Sequence, residues 1–218
     1  MPNISTVKKN IEVITLGCRL NTYESEVMRT LANEQNLDDV IVINTCAVTS
    51  EAERQSRQAV RKAHRTNPHA KIIVTGCSAQ MHPQIYADMP EVSRVLGNHE
   101  KMQRASFDLT TPERILVTDI MQVKETAHHL VTSFEGKARA FIEIQNGCDH
   151  RCTFCTIPFG RGNNRSVPIA QIVNHVRLIV QEGIQEIVFT GVDITGYGQD
   201  LPGQPTLGQM IRRIFTQV

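Results

Sequence analysis

The chain has 218 residues, of which 40% are hydrophobic and 21% are charged, a composition typical of globular proteins. The formal net charge of +1 excludes the strongly basic class of nucleic-acid-binding proteins. No apolar run approaches the roughly 20 residues that span a bilayer, and the polar start does not resemble a secretion signal. We therefore expect a cytoplasmic protein with no membrane partner, in which any contact with RNA is local or made outside this chain.

The first hundred residues repeat one unit, a strand followed by a helix. The predicted elements are, in chain order, strand 11–16, helix 23–35, strand 40–43, helix 51–65 with Ser50 as its cap, strand 71–75, helix 83–89 and strand 94–96. The β-branched strand runs are typical of buried parallel strands. A period of about 30 residues indicates βαβ units with right-handed crossovers. We therefore predict an α/β domain with a doubly wound parallel sheet.

A second β/α series begins further along the chain. Its predicted elements are strand 138–145, a cysteine-rich loop, a helix from Pro168 to residue 182 with Gly183 as its C-terminal cap, strand 186–190 and helix 206–217. This second β/α series begins but does not close within the chain. The predicted boundaries are 1–106 for the N-terminal domain, 107–137 for a connector with edge strands and 138–218 for the incomplete second domain.

Three cysteines each follow one of the first three predicted strands: Cys18, Cys46 and Cys77. Disulfides are not expected in a reducing compartment, and parallel strands bring their carboxyl ends to one edge, where such sheets bind ligands. Gly17 and Gly76 directly precede two of these cysteines and would allow close approach to a bulky cluster. An iron–sulfur cluster, a zinc ion completed by His82 and unliganded thiols all fit this pattern, and the spacing alone leaves the three hypotheses open.

Three further cysteines lie in one loop with the spacing C-x3-C-x2-C: Cys148, Cys152 and Cys155. Such short spacing holds a cluster within one loop, and three thiolates on a four-iron cluster leave one iron open to a small molecule. A zinc ion with His150 as fourth ligand is the alternative. With Phe154 before the last cysteine and a predicted strand before the loop, the motif resembles the radical-SAM superfamily, in which the open iron binds S-adenosylmethionine (SAM) and reductive cleavage yields a 5′-deoxyadenosyl radical.

Further motifs resemble the tRNA methylthiotransferase family over almost the whole chain and in the family's order. They are GCRLNTYESE, INTCAVT, TGCSAQ, CTFCTIPFGRGNNRSVP and EIVFTGVDITGYG. The first and last are most like the MtaB type, which adds a methylthio group to C2 of N6-threonylcarbamoyladenosine at position 37 of the tRNA anticodon loop. The types that act on N6-isopentenyladenosine in tRNA or on a ribosomal protein are the alternatives.

The resemblance implies that residues 138–218 are the beginning of a radical-SAM β/α barrel of the partial TIM type. It also implies an enzyme with two [4Fe–4S] clusters and SAM as cofactors. Cys148, Cys152 and Cys155 would hold the cluster that cleaves SAM, and Cys18, Cys46 and Cys77 would hold an auxiliary cluster that supplies sulfur. The other implied site residues are Phe154, Thr190 and Gly191 for SAM, and Arg161 and Arg165 for the substrate or a SAM carboxylate. The implied partners are tRNA and an electron donor such as flavodoxin or ferredoxin.

Two further features carry expectations. Four arginines at helical spacing form a basic stripe that meets tRNA phosphates or is simply a solvated face: Arg54, Arg57, Arg61 and Arg65. The chain stops after two predicted barrel strands, as a fragment, a shortened reading frame or a split protein would. An open sheet edge predicts poor solubility and weak or absent turnover for this polypeptide alone. A non-catalytic iron–sulfur module that kept the cysteines is the competing hypothesis.

Overall fold

The computed structural model describes residues 10–35, 37–124 and 139–218. Strands and helices alternate along most of the chain. In chain order they are β1 (Ile11–Thr15), α1 (Arg19–Glu34), β2 (Val40–Thr45), α2 (Ser50–Thr66), β3 (Lys71–Gly76), α3 (Cys77–Met81), α4 (Pro83–Ala87), β4 (Val92–Leu96), β5 (Ile115–Leu116), β6 (Arg139–Glu143), β7 (Gln145–Asn146), α5 (Ile157–Arg161), β8 (Arg165–Ser166), α6 (Ile169–Gln181), β9 (Glu186–Thr190) and α7 (Leu207–Gln217). Residues 125–137 of the predicted connector, and the first residue of predicted strand 138–145, lie outside the described ranges.

The first five strands form one parallel sheet whose strand order follows the chain order. Every residue of β2 is buried, as its continuous apolar run predicts. Alternate β2 residues face opposite ways: Val40 and Val42 pack with α1, whereas Ile41 and Ile43 pack with α2 and α4. Helices therefore cover both faces, and the predicted α/β fold is confirmed.

Several element boundaries differ from the sequence-based prediction. Helix α1 begins at Arg19, four residues earlier than predicted, so that Cys18 is its N-cap residue. The cap of α2 is Thr49 rather than Ser50, because the Thr49 hydroxyl accepts the Ala52 N–H at 3.1 Å. The sequence signals did not predict α3, which begins directly at Cys77. Two of the first three cysteines therefore lie at helix N-termini.

The second region starts with one βαβ unit. Strands β6 and β9 pair in parallel, and α6 connects them in sequence. The predicted strand 138–145 is divided, because β6 ends at Glu143 and β7 pairs with β8 in a separate antiparallel ribbon. At the end of α6, Gly183 has φ +83° and caps the helix as predicted.

The two regions share one hydrophobic core. Tyr23 and Val27 of α1 pack in the same buried cluster as Ala140 of β6 and Val173 of α6. Fully burying a side chain of this kind contributes about 1.5–3 kcal/mol, so this shared core holds β6 against the N-terminal sheet. None of the helices in the described ranges is long and apolar enough to span a bilayer.

Candidate functional site

The first cysteine triad consists of Cys18, Cys46 and Cys77, which the fold brings together at one sheet edge. They follow β1, β2 and β3, which are neighbours in the sheet, and all three are free thiols. Burial raises the pKa of the Cys46 thiol, and the nearby thiols of Cys77 and Cys18 act in the same direction. Because the three strands are parallel neighbours, the three loops that carry these thiols lie side by side at one edge of the sheet.

Two glycines allow the loops of this triad to lie against each other. Gly17 has φ +94°, and a Cβ added there would lie 2.9 Å from Cys46 Sγ. Gly76 has φ +97°, and its added Cβ would lie 2.3 Å from the Thr45 carbonyl oxygen. A side chain at either position would therefore meet both backbone strain and overlap. The two glycines thus allow close contact between the loops themselves, and their close approach to a cluster stays a prediction.

Two asparagines hold the loops around the first triad. The Asn21 amide donates to the carbonyl oxygens of Leu16 at 2.6 Å and Thr45 at 3.1 Å, and its oxygen accepts the Cys18 thiol at 3.8 Å. The Asn44 amide donates to the Asn21 carbonyl at 3.1 Å. These bonds satisfy buried backbone groups where the strands end. The two asparagines therefore shape the loops around the first triad.

The second cysteine triad consists of Cys148, Cys152 and Cys155, in the loop between β7 and α5. Backbone hydrogen bonds fold this loop: Cys148 N–H donates to the Gly162 carbonyl at 3.0 Å, and Cys155 N–H donates to the Cys152 carbonyl at 3.0 Å. Gly147 has φ +71°, and a Cβ there would lie 1.8 Å from the Asn163 carbonyl oxygen. The loop is thus closed on itself at its base, while Cys152 is exposed.

A loop after β9 also contacts the second triad. The Cys148 thiol lies 3.7 Å from Asp193 Oδ2, and the pKa of this thiol is raised, chiefly by burial and further by the Asp193 carboxylate. Gln145 fixes this contact, because its side-chain oxygen accepts the N–H groups of Val192 at 2.9 Å and Asp193 at 2.8 Å. Sequence reasoning missed both residues, although Asp193 stands within the quoted motif EIVFTGVDITGYG and Gln145 ends the predicted strand 138–145.

The residues predicted to contact SAM lie beside this loop in three different environments. Phe154 is 88% exposed. Thr190 is buried at the end of β9, and its carbonyl oxygen already accepts Ile144 N–H at 3.0 Å. Gly191 lies against Gln145, whose side-chain oxygen would be 2.7 Å from an added Cβ. Contact of these residues with SAM stays a prediction.

The two arginines predicted to contact the substrate are buried. The Arg161 guanidinium pairs with Glu24 at 2.9 Å and donates to Asn21 Oδ1 at 2.5 Å. Arg165 donates to the carbonyl oxygens of Arg161 at 2.8 Å and Asn163 at 3.0 Å. The structure therefore gives both side chains partners inside the protein, and neither guanidinium faces solvent.

Sequence reasoning missed the acidic partner of Arg161. Burial alone would raise the pKa of Glu24, but the charges of Arg161 and Lys101 outweigh it and hold that pKa at about 2. Lys101 lies 2.6 Å from Glu24 and is fully buried. Glu24 stands within the quoted motif GCRLNTYESE, which was a usable signal, whereas nothing in the sequence around Lys101 marks it as part of a site.

The two triads are connected where α5 packs on the N-terminal domain. A Cβ added at Gly160 would lie 3.1 Å from Cys77 Cβ and 3.5 Å from its sulfur. The Asn98 amide donates to the Gly160 carbonyl at 2.5 Å, and the Thr156 hydroxyl donates to the Ala47 carbonyl at 3.2 Å. The short helix that follows Cys155 therefore lies directly against the first triad.

Both triads present cysteine thiols, which are the ligands that hold iron–sulfur clusters in proteins. Within the described ranges, no group of three or more His, Cys, Asp or Glu side chains is arranged to hold a metal ion. The histidines considered for zinc have carboxylate neighbours instead, His82 with Glu53 at 3.5 Å and His150 with Asp193 at 3.4 Å. The thiols fit a cluster by their chemistry, and cluster binding at either triad stays a prediction.

The predicted basic stripe on α2 is only partly free. Arg54 forms two hydrogen bonds with Glu51, at 2.7 and 2.6 Å, while Arg61 and Arg65 are exposed. The Glu51 pKa is lowered to about 2 by its hydrogen bonds from Arg54 and Gln55. The solvated-face interpretation therefore holds for Arg54, and contact of the other arginines with RNA stays a prediction.

Two family models match this chain, one in each of the two regions described above. Residues 10–97 match the family described as Uncharacterized protein family UPF0004, and residues 142–213 match the Radical SAM superfamily. A threonylcarbamoyladenosine tRNA methylthiotransferase MtaB of Rickettsia prowazekii is 56% identical over 207 residues, 95% of this chain and 49% of that protein. The resemblance to the methylthiotransferase family is confirmed.

More distant methylthiotransferases match the same part of the chain. The MtaB of Aquifex aeolicus is 39% identical over 85% of this chain and 48% of its own length. The ribosomal protein uS12 methylthiotransferase RimO of Myxococcus xanthus is 32% identical over 96% of this chain and 47% of its own length. The chain thus spans about half the length of the curated relatives it matches.

Proposed function

We propose that this chain is the catalytic N-terminal half of a radical-SAM methylthiotransferase that modifies threonylcarbamoyladenosine at position 37 of tRNA. The observation that carries the proposal is the contact between the two triads, since Gly160 packs on Cys77 only a few residues after Cys155. An enzyme that joins a radical step to sulfur insertion needs its two metal sites close to one substrate atom. The 56% identity to a relative named for this activity supports the choice of substrate.

The thiols would divide into two ligand sets. Cys148, Cys152 and Cys155 would hold the cluster that binds SAM, and Cys18, Cys46 and Cys77 would hold the auxiliary cluster. Bound there, the two [4Fe–4S] groups would supply the electron that cleaves SAM and the site from which sulfur is transferred. Gln145 and Asp193 would keep the loop after β9 against the SAM-binding side, and the exposed Phe154 and the Thr190–Gly191 segment would line it.

The proposed reaction replaces the C2–H bond of the adenine with a C–S bond. The sulfur comes from sulfide, and one SAM donates the methyl group and becomes S-adenosylhomocysteine. The hydrogen leaves on the 5′-deoxyadenosine formed from a second SAM, whose other product is methionine. The single electron that starts the cleavage of SAM is returned to the enzyme when the C–S bond forms. A donor such as flavodoxin or ferredoxin is therefore needed only to reduce the enzyme before its first turnover. Such an enzyme would work in the cytoplasm, where tRNA and these donors occur.

The proposed domain boundaries follow from the assignment of the two cysteine triads to two clusters. Residues 1–106 would form the auxiliary-cluster domain, residues 107–137 the connector and residues 138–218 the first part of the radical-SAM domain. In the described residues, β6 and β9 form a two-stranded sheet, and a barrel requires further strands. We therefore expect weak or absent turnover by this polypeptide alone.

A chimaera tests the proposal. The chain is fused to the remaining half of the Rickettsia prowazekii relative, reconstituted anaerobically with iron and sulfide, and incubated with SAM, a reductant and tRNA that carries either threonylcarbamoyladenosine or isopentenyladenosine. Mass spectrometry of the nucleosides should show the methylthio product only on the threonylcarbamoyl substrate. The same chimaera with Cys152→Ala is the matched control and should form no 5′-deoxyadenosine. Modification of only the isopentenyl substrate, or no product from a chimaera with both clusters loaded, would contradict the assignment.

A further inference from the structure

A buried ion cluster lies between the two cysteine triads. It consists of Glu24, Lys101 and Arg161, which are 1%, 0% and 2% exposed. Glu24 accepts Lys101 Nζ at 2.6 Å and the two terminal nitrogens of Arg161 at 2.9 and 3.1 Å. Glu24 and Lys101 belong to the N-terminal sheet region, whereas Arg161 ends the short helix after Cys155. The cluster therefore joins parts of the chain that are remote in sequence.

Arg161 is connected to both triads by hydrogen bonds. Toward the first triad, Asn21 Oδ1 accepts both the Arg161 guanidinium at 2.5 Å and the Cys18 thiol at 3.8 Å. Toward the second, Asn146 Oδ1 accepts the Arg161 guanidinium at 3.2 Å and the Gly147 N–H at 2.9 Å. Gly147 directly precedes Cys148. One side chain thus reaches Cys18 of the first triad through Asn21, and the residue before Cys148 of the second triad through Asn146.

A parallel connection runs through Asn98. Its amide nitrogen lies 3.7 Å from the Cys77 sulfur and 2.5 Å from the Gly160 carbonyl oxygen. Gly160 is the residue before Arg161, so this bond and the ion cluster hold the same turn of α5. The contact between α5 and Cys77 is therefore fixed at two neighbouring residues.

The charge of the cluster favours anionic sulfur nearby. Two cations face the Glu24 carboxylate, and the buried carboxyl of Glu143, whose pKa is raised to about 7, also interacts with this cluster. The buried region therefore carries its largest excess of positive charge below pH 7, where Glu143 is mostly neutral. The thiols of Cys77 and Cys18 are near enough to interact electrostatically with the Arg161 guanidinium. A positive group at short range in a low-dielectric interior stabilises thiolate and any more reduced, more negative state of a cluster bound to it.

We propose that Arg161 is a positioning residue that docks the radical-SAM loop on the N-terminal domain and sets the electrostatic environment of the first triad. Only the electrostatic part of this inference rests on the proposed function, because the docking is a property of the metal-free protein. The planar guanidinium suits the role, since it can donate to Glu24, Asn21 and Asn146 at the same time, which a lysine ammonium cannot do in the same geometry.

The docking is tested on the metal-free chain by hydrogen–deuterium exchange. Arg161→Gln should raise the exchange rate at least tenfold in both 147–161 and 16–24. Arg161→Lys should raise it less, because lysine keeps the positive charge but lacks the planar guanidinium group with its several N–H donors. Arg177→Gln, which removes an exposed arginine on α6, is the matched control and should leave both segments unchanged. Exchange in Arg161→Gln that stays at the wild-type rate, or that rises only in 147–161, would overturn the docking. If Arg161→Gln does not fold, the comparison of Arg161→Lys with wild type decides.

The electrostatic part is tested on the iron-loaded chain by redox titration followed by EPR. Arg161→Gln should shift the midpoint potential of the auxiliary cluster to lower values, and Arg161→Lys should shift it less. An unchanged potential in a loaded, folded Arg161→Gln variant would overturn this part. A chain that binds no iron would contradict the proposed function, and the exchange result on the metal-free protein would still stand, so the two failures are distinguishable.

Discussion

The two cysteine triads are built by different means. Cys18, Cys46 and Cys77 come from three loops, and only the parallel register of β1, β2 and β3 brings them together. The second triad lies within one loop that backbone hydrogen bonds close at its base. The first site is therefore a property of the whole sheet, whereas the second is a property of a short segment and the surface that it docks on. Sites of the first kind should be lost when the sheet is damaged, and sites of the second kind should be lost when one turn is damaged.

The largest expected effect comes from Gly76→Ala, which damages the sheet-built site. A Cβ there would lie 2.3 Å from the Thr45 carbonyl oxygen and 2.4 Å from the Thr45 nitrogen, at φ +97°. Strain and overlap with backbone together should lower the free energy of unfolding by about 4 kcal/mol. Urea unfolding measures this loss, and iron analysis should show that the first triad no longer loads while the second does. Wild-type stability in this variant would contradict the sheet-built account.

Gly147→Ala is the corresponding change in the loop-built site. Its added Cβ would lie 1.8 Å from the Asn163 carbonyl oxygen at φ +71°. Because a loop relaxes more easily than a sheet interior, we expect a smaller loss of about 3 kcal/mol. Iron should now be lost from the second triad and retained at the first. If both variants lose iron from the same triad, the two sites are not independent structures, and the comparison fails.

Glu143 provides a pH test of how far the two regions are connected. Burial, and then the negative charge of Glu24, raise the pKa of Glu143 to about 7 from 4.5. A raised carboxyl pKa destabilises the folded state as pH increases from 4.5 through 7, and this penalty is fully present above 7. Glu143→Gln should therefore be more stabilising at pH 8 than at pH 5.5 by about 2 kcal/mol. Thermal unfolding at the two pH values measures the difference, and an equal effect at both would refute the raised pKa.

The smallest expected effect is that of Gly183→Ala, which serves as control for the two other glycine variants. Gly183 also has a positive φ, +83°, but no atom lies within 4 Å of an added Cβ. Only the backbone strain remains, so we expect a loss of about 1 kcal/mol. Both triads should load iron as in the wild type. A loss as large as that of Gly76→Ala would show that overlap with neighbouring backbone is not what makes the site glycines necessary.

The sequence predicted the second triad more directly than the first. The spacing of Cys148, Cys152 and Cys155 identifies a cluster motif without any knowledge of the fold. Cys18, Cys46 and Cys77 become a group only once parallel strands are inferred, and the β-branched runs made that inference possible. The short helix α3, and the cap of α2 at Thr49 rather than Ser50, depend on hydrogen bonds that spacing patterns do not encode.

The contact between the two triads was beyond sequence reasoning for a physical reason. Arg161 stands in a glycine-rich loop segment, where an arginine is usually exposed, and only tertiary packing buries it against Glu24. Lys101 carries no local signal, because a buried lysine is recognised only by the partner that compensates its charge. Docking of one region on another is set by long-range contacts of this kind, which neither periodicity nor motif spacing reports.

Iron and sulfide analysis of matched cysteine variants tests the central claim most directly. The reconstituted wild-type chain should contain about eight irons, and each triple Cys→Ala variant, of the first or of the second triad, should retain about four. EPR of the reduced samples should show a signal perturbed by SAM only where Cys148, Cys152 and Cys155 are intact. One stoichiometric zinc with no visible absorbance, or a single cluster that both triple variants abolish, would contradict the two-site account.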